Sequence, residues 1–270
     1  MMKKITSILL LALVFNSCGE YQKVLKSDDY NYKYTKAVAY YEAEDFNRAM
    51  PLFNELSTVL RGTAKMQEVS YYFAYCHYSA SDNLMAAYLF KNYTQNYPNG
   101  KHTEECAYMS AYCYYLEAPD YSLDATNNYK AINELQTFVD RFPLSDRVEK
   151  CNELLDELRT VLSKKAFENA KQYFTTENYK SAIIALENVL IDFPSYSNRE
   201  EVYFLIVKSS YLLAINSIST KVISRLKSTL DAYSQFKDNY PNSDLIKDLE
   251  NTYNKTNQTL TELKEKKDEI

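Results

Sequence analysis

The stretch Ala166–Pro194, AFENAKQYFTTENYKSAIIALENVLIDFP, reads as two helices joined by a tight turn. Ala166, Ala170 and Ala182 sit where two helices must approach closely, and Tyr173, Phe174 and Tyr179 are expected to fill the gaps beside them. The turn falls at Thr175-Thr176-Glu177-Asn178, with Asn178 as the expected N-cap of the second helix. Pro194 closes the unit, because proline cannot continue a helix. A helix pair of this size leaves part of its apolar surface uncovered, so it needs neighbours of its own kind.

Aligning the unit with the rest of the chain finds them. Ala37, Tyr40, Phe46, Ala49 and Phe53 repeat the spacing of Ala170, Tyr173, Tyr179, Ala182 and Leu186. This pattern resembles the tetratricopeptide repeat, with Asp45-Phe46-Asn47-Arg48-Ala49 and Asn178-Tyr179-Lys180-Ser181-Ala182 as its second-helix signature. Tyr97-Pro98, Phe142-Pro143, Phe193-Pro194 and Tyr240-Pro241 each end a helical pattern, their prolines 45, 51 and 47 residues apart. Twelve residues before each proline stand Ala86, Ala131, Ala182 and Thr229, the close-contact position of each second helix. Thr229 is the poorest fit. Five repeats result, roughly at 31–62, 64–98, 101–143, 146–194 and 198–241. The expected fold is all-α, a right-handed superhelical solenoid of about five helix pairs. A content of only 3 Gly and 6 Pro agrees, since a sheet protein needs more turn residues.

Two departures from the repeat carry information. Glu117-Ala118-Pro119-Asp120-Tyr121 opens repeat three into a loop. From Arg147 to Phe174 there is no Gly or Pro, and Val148, Cys151, Leu154, Leu155, Leu158, Val161 and Leu162 keep helical spacing. One helix of that length runs roughly 40 Å. It is expected to join an N-terminal half, repeats 1–3 over 31–145, to a C-terminal half, repeats 4–5 over 146–241. The alternative is a break near Ser163-Lys164-Lys165. Residues 242–270 read as a polar capping helix and tail.

The N-terminus has the three parts of an export signal over 1–17: Lys3 and Lys4, the apolar run Ile8–Phe15, and Asn16-Ser17 leading into Cys18. The run is too short to anchor by spanning a bilayer. The cysteine in the cleavage position resembles a bacterial lipobox, which implies that Cys18 carries acyl chains and becomes the mature N-terminus. Gly19 rather than Asp follows it, so the usual signal for inner-membrane retention is missing and the outer membrane is the expected location. With only Glu20 acidic nearby, the periplasmic face is favoured over the cell surface. Glu20–Tyr32 lacks helical periodicity, so 18–30 is expected to be a lipidated tether.

No catalytic constellation emerges. His77 and His102 belong to no zinc or triad motif, and Cys76, Cys106, Cys113 and Cys151 read as small core residues. After Gly19 only Gly62 and Gly100 remain, too few to cradle a phosphate. The chain is expected to be no enzyme and to need no cofactor or metal. The formal charge of −5 becomes −7 once Lys3 and Lys4 leave with the signal, and no basic stripe stands out, so nucleic acid is not an expected partner. The 27 Tyr are the compositional oddity. They either pack between helices or line a groove that grips a partner.

Lipobox, short tether, five repeats, a long helix in the fourth and a polar last helix together resemble the BamD (ComL) family of barrel-assembly lipoproteins. Lys130–Phe138 running into Phe142-Pro143-Leu144-Ser145, after Tyr121-Ser122-Leu123-Asp124, is similar to the third repeat of its Bacteroidetes-type members. The resemblance implies a scaffold at the outer membrane. Its N-terminal half would receive unfolded barrel precursors, and its C-terminal half would dock on the POTRA domains of the barrel subunit BamA. First helices would line the receiving surface with Tyr40, Tyr41, Tyr72, Tyr75, Tyr108 and Tyr112, and Tyr203, Lys208 and Tyr211 are the expected docking residues. The alternatives are another periplasmic repeat scaffold, coordinating division or peptidoglycan enzymes, and a nutrient-binding lipoprotein. The first usually carries a coiled coil before its repeats, and the second is usually longer and rich in ligand-gripping Trp, of which this chain has 0.

Overall fold

In the computed structural model residues 19–268 are described. The described chain is helical throughout, with no strand: α1 (19–25), α2 (Tyr30–Glu42), α3 (Phe46–Val59), α4 (Lys65–Ser79), α5 (Asn83–Asn96), α6 (Thr103–Leu116), α7 (Thr126–Arg141), α8 (Val148–Thr175), α9 (Tyr179–Asp192), α10 (Arg199–Ile215), α11 (Ser219–Asn239) and α12 (Ile246–Asp268). The fold is the all-α, tetratricopeptide-like series of helix pairs that the sequence predicts. The pairs are α2/α3, α4/α5, α6/α7, α8/α9 and α10/α11, and α12 packs on α10 and α11.

Three of the turns inside pairs share one construction. Glu44, Ser81 and Glu177 take left-handed backbone, with φ of 58°, 59° and 61°. In each, the next residue reaches back five positions: Asp45 N–H donates to the Tyr40 carbonyl (2.8 Å), Asp82 to His77 (3.0 Å) and Asn178 to Tyr173 (2.9 Å). These are Schellman closures, which satisfy carbonyls left open at a helix C-terminus. The expected side-chain cap by Asn178 does not form. Its amide turns back to the carbonyl and hydroxyl of Thr176, while Asp45 does cap, accepting from Arg48 N–H at 3.2 Å.

The small residues sit where close approach demands them. Ala37, Ala49, Ala86, Ala131, Ala170 and Ala182 are fully buried. Thr229 is buried too, and its hydroxyl donates to the Arg225 carbonyl at 3.1 Å, so a threonine fits where the other repeats use alanine. Tyr173, expected in a gap, instead stands 45% exposed.

By its internal contacts the chain forms two units. The first runs through Pro119 and again from Asp124 to Leu155; the second takes Asp120–Leu123 and everything from Asp156 on. The division falls inside α8, which is one unbroken helix with no break at Ser163–Lys165. The first unit holds two core clusters, one around Leu52, Phe53 and Leu56 and one around Phe90, Cys106 and Cys113. The second is centred on Phe167, Leu186, Val202 and Phe236. Within it the Lys165 ammonium donates to the carbonyls of Tyr121 (2.9 Å) and Leu123 (2.6 Å).

The expected tether is a correction. Residues 19–25 are helical, and Val24 is wholly buried in the first core. Lys33, itself only 2% exposed, donates to the Leu25 carbonyl at 3.0 Å and to the Glu55 carboxylate at 2.6 Å. A buried ammonium is tolerable only with such partners. Here they fasten the end of α1 to the first pair.

Candidate functional site

In the first unit the first helices of successive pairs carry the same residues 37 positions apart. Ala37, Ala74 and Ala111 are each fully buried. Tyr71, Tyr75 and Tyr78 on α4 recur as Tyr108, Tyr112 and Tyr115 on α6, and Tyr34 and Tyr41 hold the corresponding places on α2. Spacing of i, i+4 and i+7 lays each set along one helix face.

The rings meet. Tyr41 lies 4.8 Å from Tyr72 across the α2–α4 seam, Tyr72 is 5.5 Å from Tyr71, and Tyr71 is 4.8 Å from Tyr75. Tyr75 is followed by Tyr78 at 6.3 Å. On α6, Tyr108 stacks on Tyr112 at 5.8 Å and Tyr112 on Tyr115 at 5.9 Å. All of these rings are half-buried. Such rings combine apolar area with a polar tip.

The hydroxyls of Tyr34, Tyr71 and Tyr75 are donated to carboxylates of the next repeat. Tyr34 donates to Glu68, and Tyr71 repeats that bond one repeat later, to Glu105 at 3.2 Å. Tyr75 donates to the same Glu105 oxygen at 2.5 Å, and the His102 ring stacks on Tyr71 at 4.1 Å. Burial, then the Glu105 charge, pushes the Tyr71 phenol up; at Tyr75 burial is again first, followed by its bond to Glu105. Burial likewise raises Tyr72 and Tyr108 and pushes Tyr41 up to about 12. At neutral pH the ladder is a row of neutral donors and ring edges against acidic acceptors.

Five of the expected site residues therefore belong to this ladder: Tyr41, Tyr72, Tyr75, Tyr108 and Tyr112. Tyr40 does not. One position along α2 turns a side chain by 100°, and Tyr40 meets Tyr21 (5.7 Å) and the Arg48 guanidinium (5.7 Å) instead. Reading by sequence missed Tyr34, Tyr71, Tyr78 and Tyr115, together with Glu68, Glu105 and His102. The 37-residue period, visible in Ala37, Ala74 and Ala111, would have found the tyrosines.

In the second unit Tyr203, Lys208 and Tyr211 are half-buried on α10. Tyr203 turns to Tyr240 at 5.9 Å, and Lys208 to Asp248 of α12 at 3.3 Å. A groove of about 410 Å³ runs between α9, α10 and α11, lined by Ile206 and Leu213, with Ile184 52% exposed at its edge; Tyr203, Lys208 and Tyr211 are not among its lining residues. Cys18 lies outside the described residues.

Cys76, Cys106, Cys113 and Cys151 are buried free thiols, and burial pushes Cys76 and Cys113 up to about 12 and Cys151 to about 11. Among the described residues no three His, Cys, Asp or Glu side chains converge as metal ligands, and no helix is long and apolar enough to cross a membrane.

Among solved structures the chain is similar to the TPR2AB domain of yeast Sti1 in its pHSP90 complex, at 16% identity and a TM-score of 0.40, covering 84% of this chain and 98% of that one. It is also similar to the P58(IPK) TPR domain, at 13% identity and a TM-score of 0.43, covering 89% of this chain and 68% of that one. No curated protein matches in sequence. The family model described as YfiO, outer membrane lipoprotein, matches residues 26–226. That match takes in well over half the sequence, and the chain belongs to the YfiO family of outer membrane lipoproteins.

Proposed function

We propose that this protein is a non-catalytic scaffold of outer-membrane barrel assembly, held by lipid on Cys18 at the periplasmic face. In this reading the first unit receives unfolded barrel precursors and the second docks on the POTRA domains of BamA. The observation that carries it is the tyrosine ladder across α2, α4 and α6. An unfolded barrel precursor is an extended chain with apolar side chains at alternate positions. A row of half-exposed rings holds such a chain by stacking, and hydroxyls and carboxylates beside the rings pair with its backbone, without demanding one sequence. Tyr41, Tyr72, Tyr75, Tyr108 and Tyr112 are the proposed precursor contacts. Tyr203, Lys208 and Tyr211 are the proposed docking contacts.

Depletion of the protein in its own cell, combined with photocrosslinking from positions 72 and 112, tests this. Barrel proteins of the outer membrane should fall, and crosslinks should capture unfolded barrel chains, with BamA captured from position 211. Normal barrel levels, with crosslinks only to division or peptidoglycan proteins, would overturn the assignment.

A further inference from the structure

α1 is described from Gly19, the residue after Cys18, and it is held at several points. Val24 is wholly buried, Lys33 holds the Leu25 carbonyl, Tyr21 donates to the Arg48 carbonyl at 3.3 Å, and Lys36 pairs with Glu20 at 2.6 Å. One peptide step of about 3.8 Å separates position 18 from this packed helix. Whatever α1 rests on is carried to the place where the lipid enters the bilayer.

It rests on a stripe of α2. Tyr32, Lys36 and Tyr40 follow one another at i, i+4 and i+8, along one side of the helix. Lys36 links the stripe to Glu20 and lies 5.9 Å from the Tyr32 ring. Tyr40 meets Tyr21 at 5.7 Å, and the Arg48 guanidinium sits 5.8 Å from Tyr21 and 5.7 Å from Tyr40. Tyr32 is 39% exposed, and so is Tyr30, with the Lys33 ammonium 5.9 Å away. The carboxylates of this face are engaged: Glu20 with Lys36, Asp45 with Arg48 at 3.3 Å, and Asp29 with the N–H groups that open α2. Tyrosine rings with lysine and arginine beside them are the side chains that favour the headgroup layer. The ring takes the apolar boundary and the cationic tip stays in water; with Lys36 paired to Glu20 and Arg48 to Asp45 the face carries no net positive charge, and the rings supply its preference for the headgroup layer.

We infer that this face, Tyr32, Lys36 and Tyr40 of α2 with Tyr21 and Arg48, lies in the headgroup layer of the bilayer that Cys18 anchors. The inference rests on the proposed lipid at Cys18 and goes beyond it: the anchor is continued by a protein surface, and the first pair sits on the membrane rather than hanging from it. Tyr40, set apart from the ladder, has its role here.

The chain contains 0 Trp, so a single substitution makes a clean reporter. Full-length, lipidated Tyr32→Trp and, for reference, Tyr129→Trp on α7 would be reconstituted in phosphatidylethanolamine–phosphatidylglycerol vesicles with and without brominated acyl chains. Both positions are exposed enough to take an indole without repacking. The expected result is flotation of both proteins with the vesicles and several-fold stronger bromolipid quenching at position 32 than at 129. Flotation with equal, weak quenching at both positions overturns the membrane face and leaves the anchor standing. Shielding of position 32 from acrylamide without bromolipid quenching indicates a protein contact and also overturns it. Failure to float overturns the anchor and the face together.

Discussion

Tyr41 shows how a single side chain reports on its setting. Burial pushes its phenol up to about 12, against about 10 for a tyrosine in an unfolded chain. A raised phenol favours the folded state only while protonated. Its contribution is therefore whole below about pH 10 and is lost as pH rises through about 12. The Tyr71 and Tyr75 phenols, raised by burial and by Glu105, shift the same way. A spectrophotometric titration near 295 nm, run beside far-ultraviolet circular dichroism, should show a class of tyrosines that ionises only as helicity is lost. Smooth ionisation of every tyrosine near pH 10 with helicity intact would contradict the burial described here.

The left-handed turns and the helix crossings make opposite predictions. Glu44, Ser81 and Glu177 occupy backbone that favours glycine. Glu177→Gly should relieve strain and raise stability by up to about 1 kcal/mol, read as a higher urea midpoint at unchanged slope. At the crossing inside the same pair, Ala182 is fully buried against the cluster that holds Ala170 and Leu186. Ala182→Leu overpacks it and should cost about 1–3 kcal/mol. A neutral outcome there would mean that the helices do not approach at that point. These crossings were legible in the sequence because small residues repeat at fixed distances from the aromatic–proline ends. The 37-residue period was hidden because the loop after α6 pushes Pro143 to 45 residues from Pro98. The ladder was half legible: helical spacing picks out Tyr72, Tyr75, Tyr108 and Tyr112, but Glu105 joins only through hydrogen bonds between repeats. The short α1 was misread as tether because its order comes from distant residues, Lys33 and Arg48, and not from its own periodicity.

For the protein as a whole, the proposed lipid on Cys18 is the attachment to test first. Cys18→Ala should move the chain from the membrane fraction to the soluble fraction after cell breakage, since one exposed aromatic face binds a bilayer far more weakly than several acyl chains. Retention at the membrane would place the anchor elsewhere. The four buried thiols bear on how such a chain matures. A folded copy offers none of these sulfurs to an oxidant, whereas an unfolded copy offers all four, which can pair in three ways. In the proposed periplasmic setting, export begins a race between folding and oxidation. Helix pairs whose contacts are mostly between near neighbours in sequence fold in microseconds to milliseconds, and disulfide chemistry takes seconds to hours. In that setting, local topology would let the protein keep cysteine as core filler, because the sulfurs are out of reach before they can react.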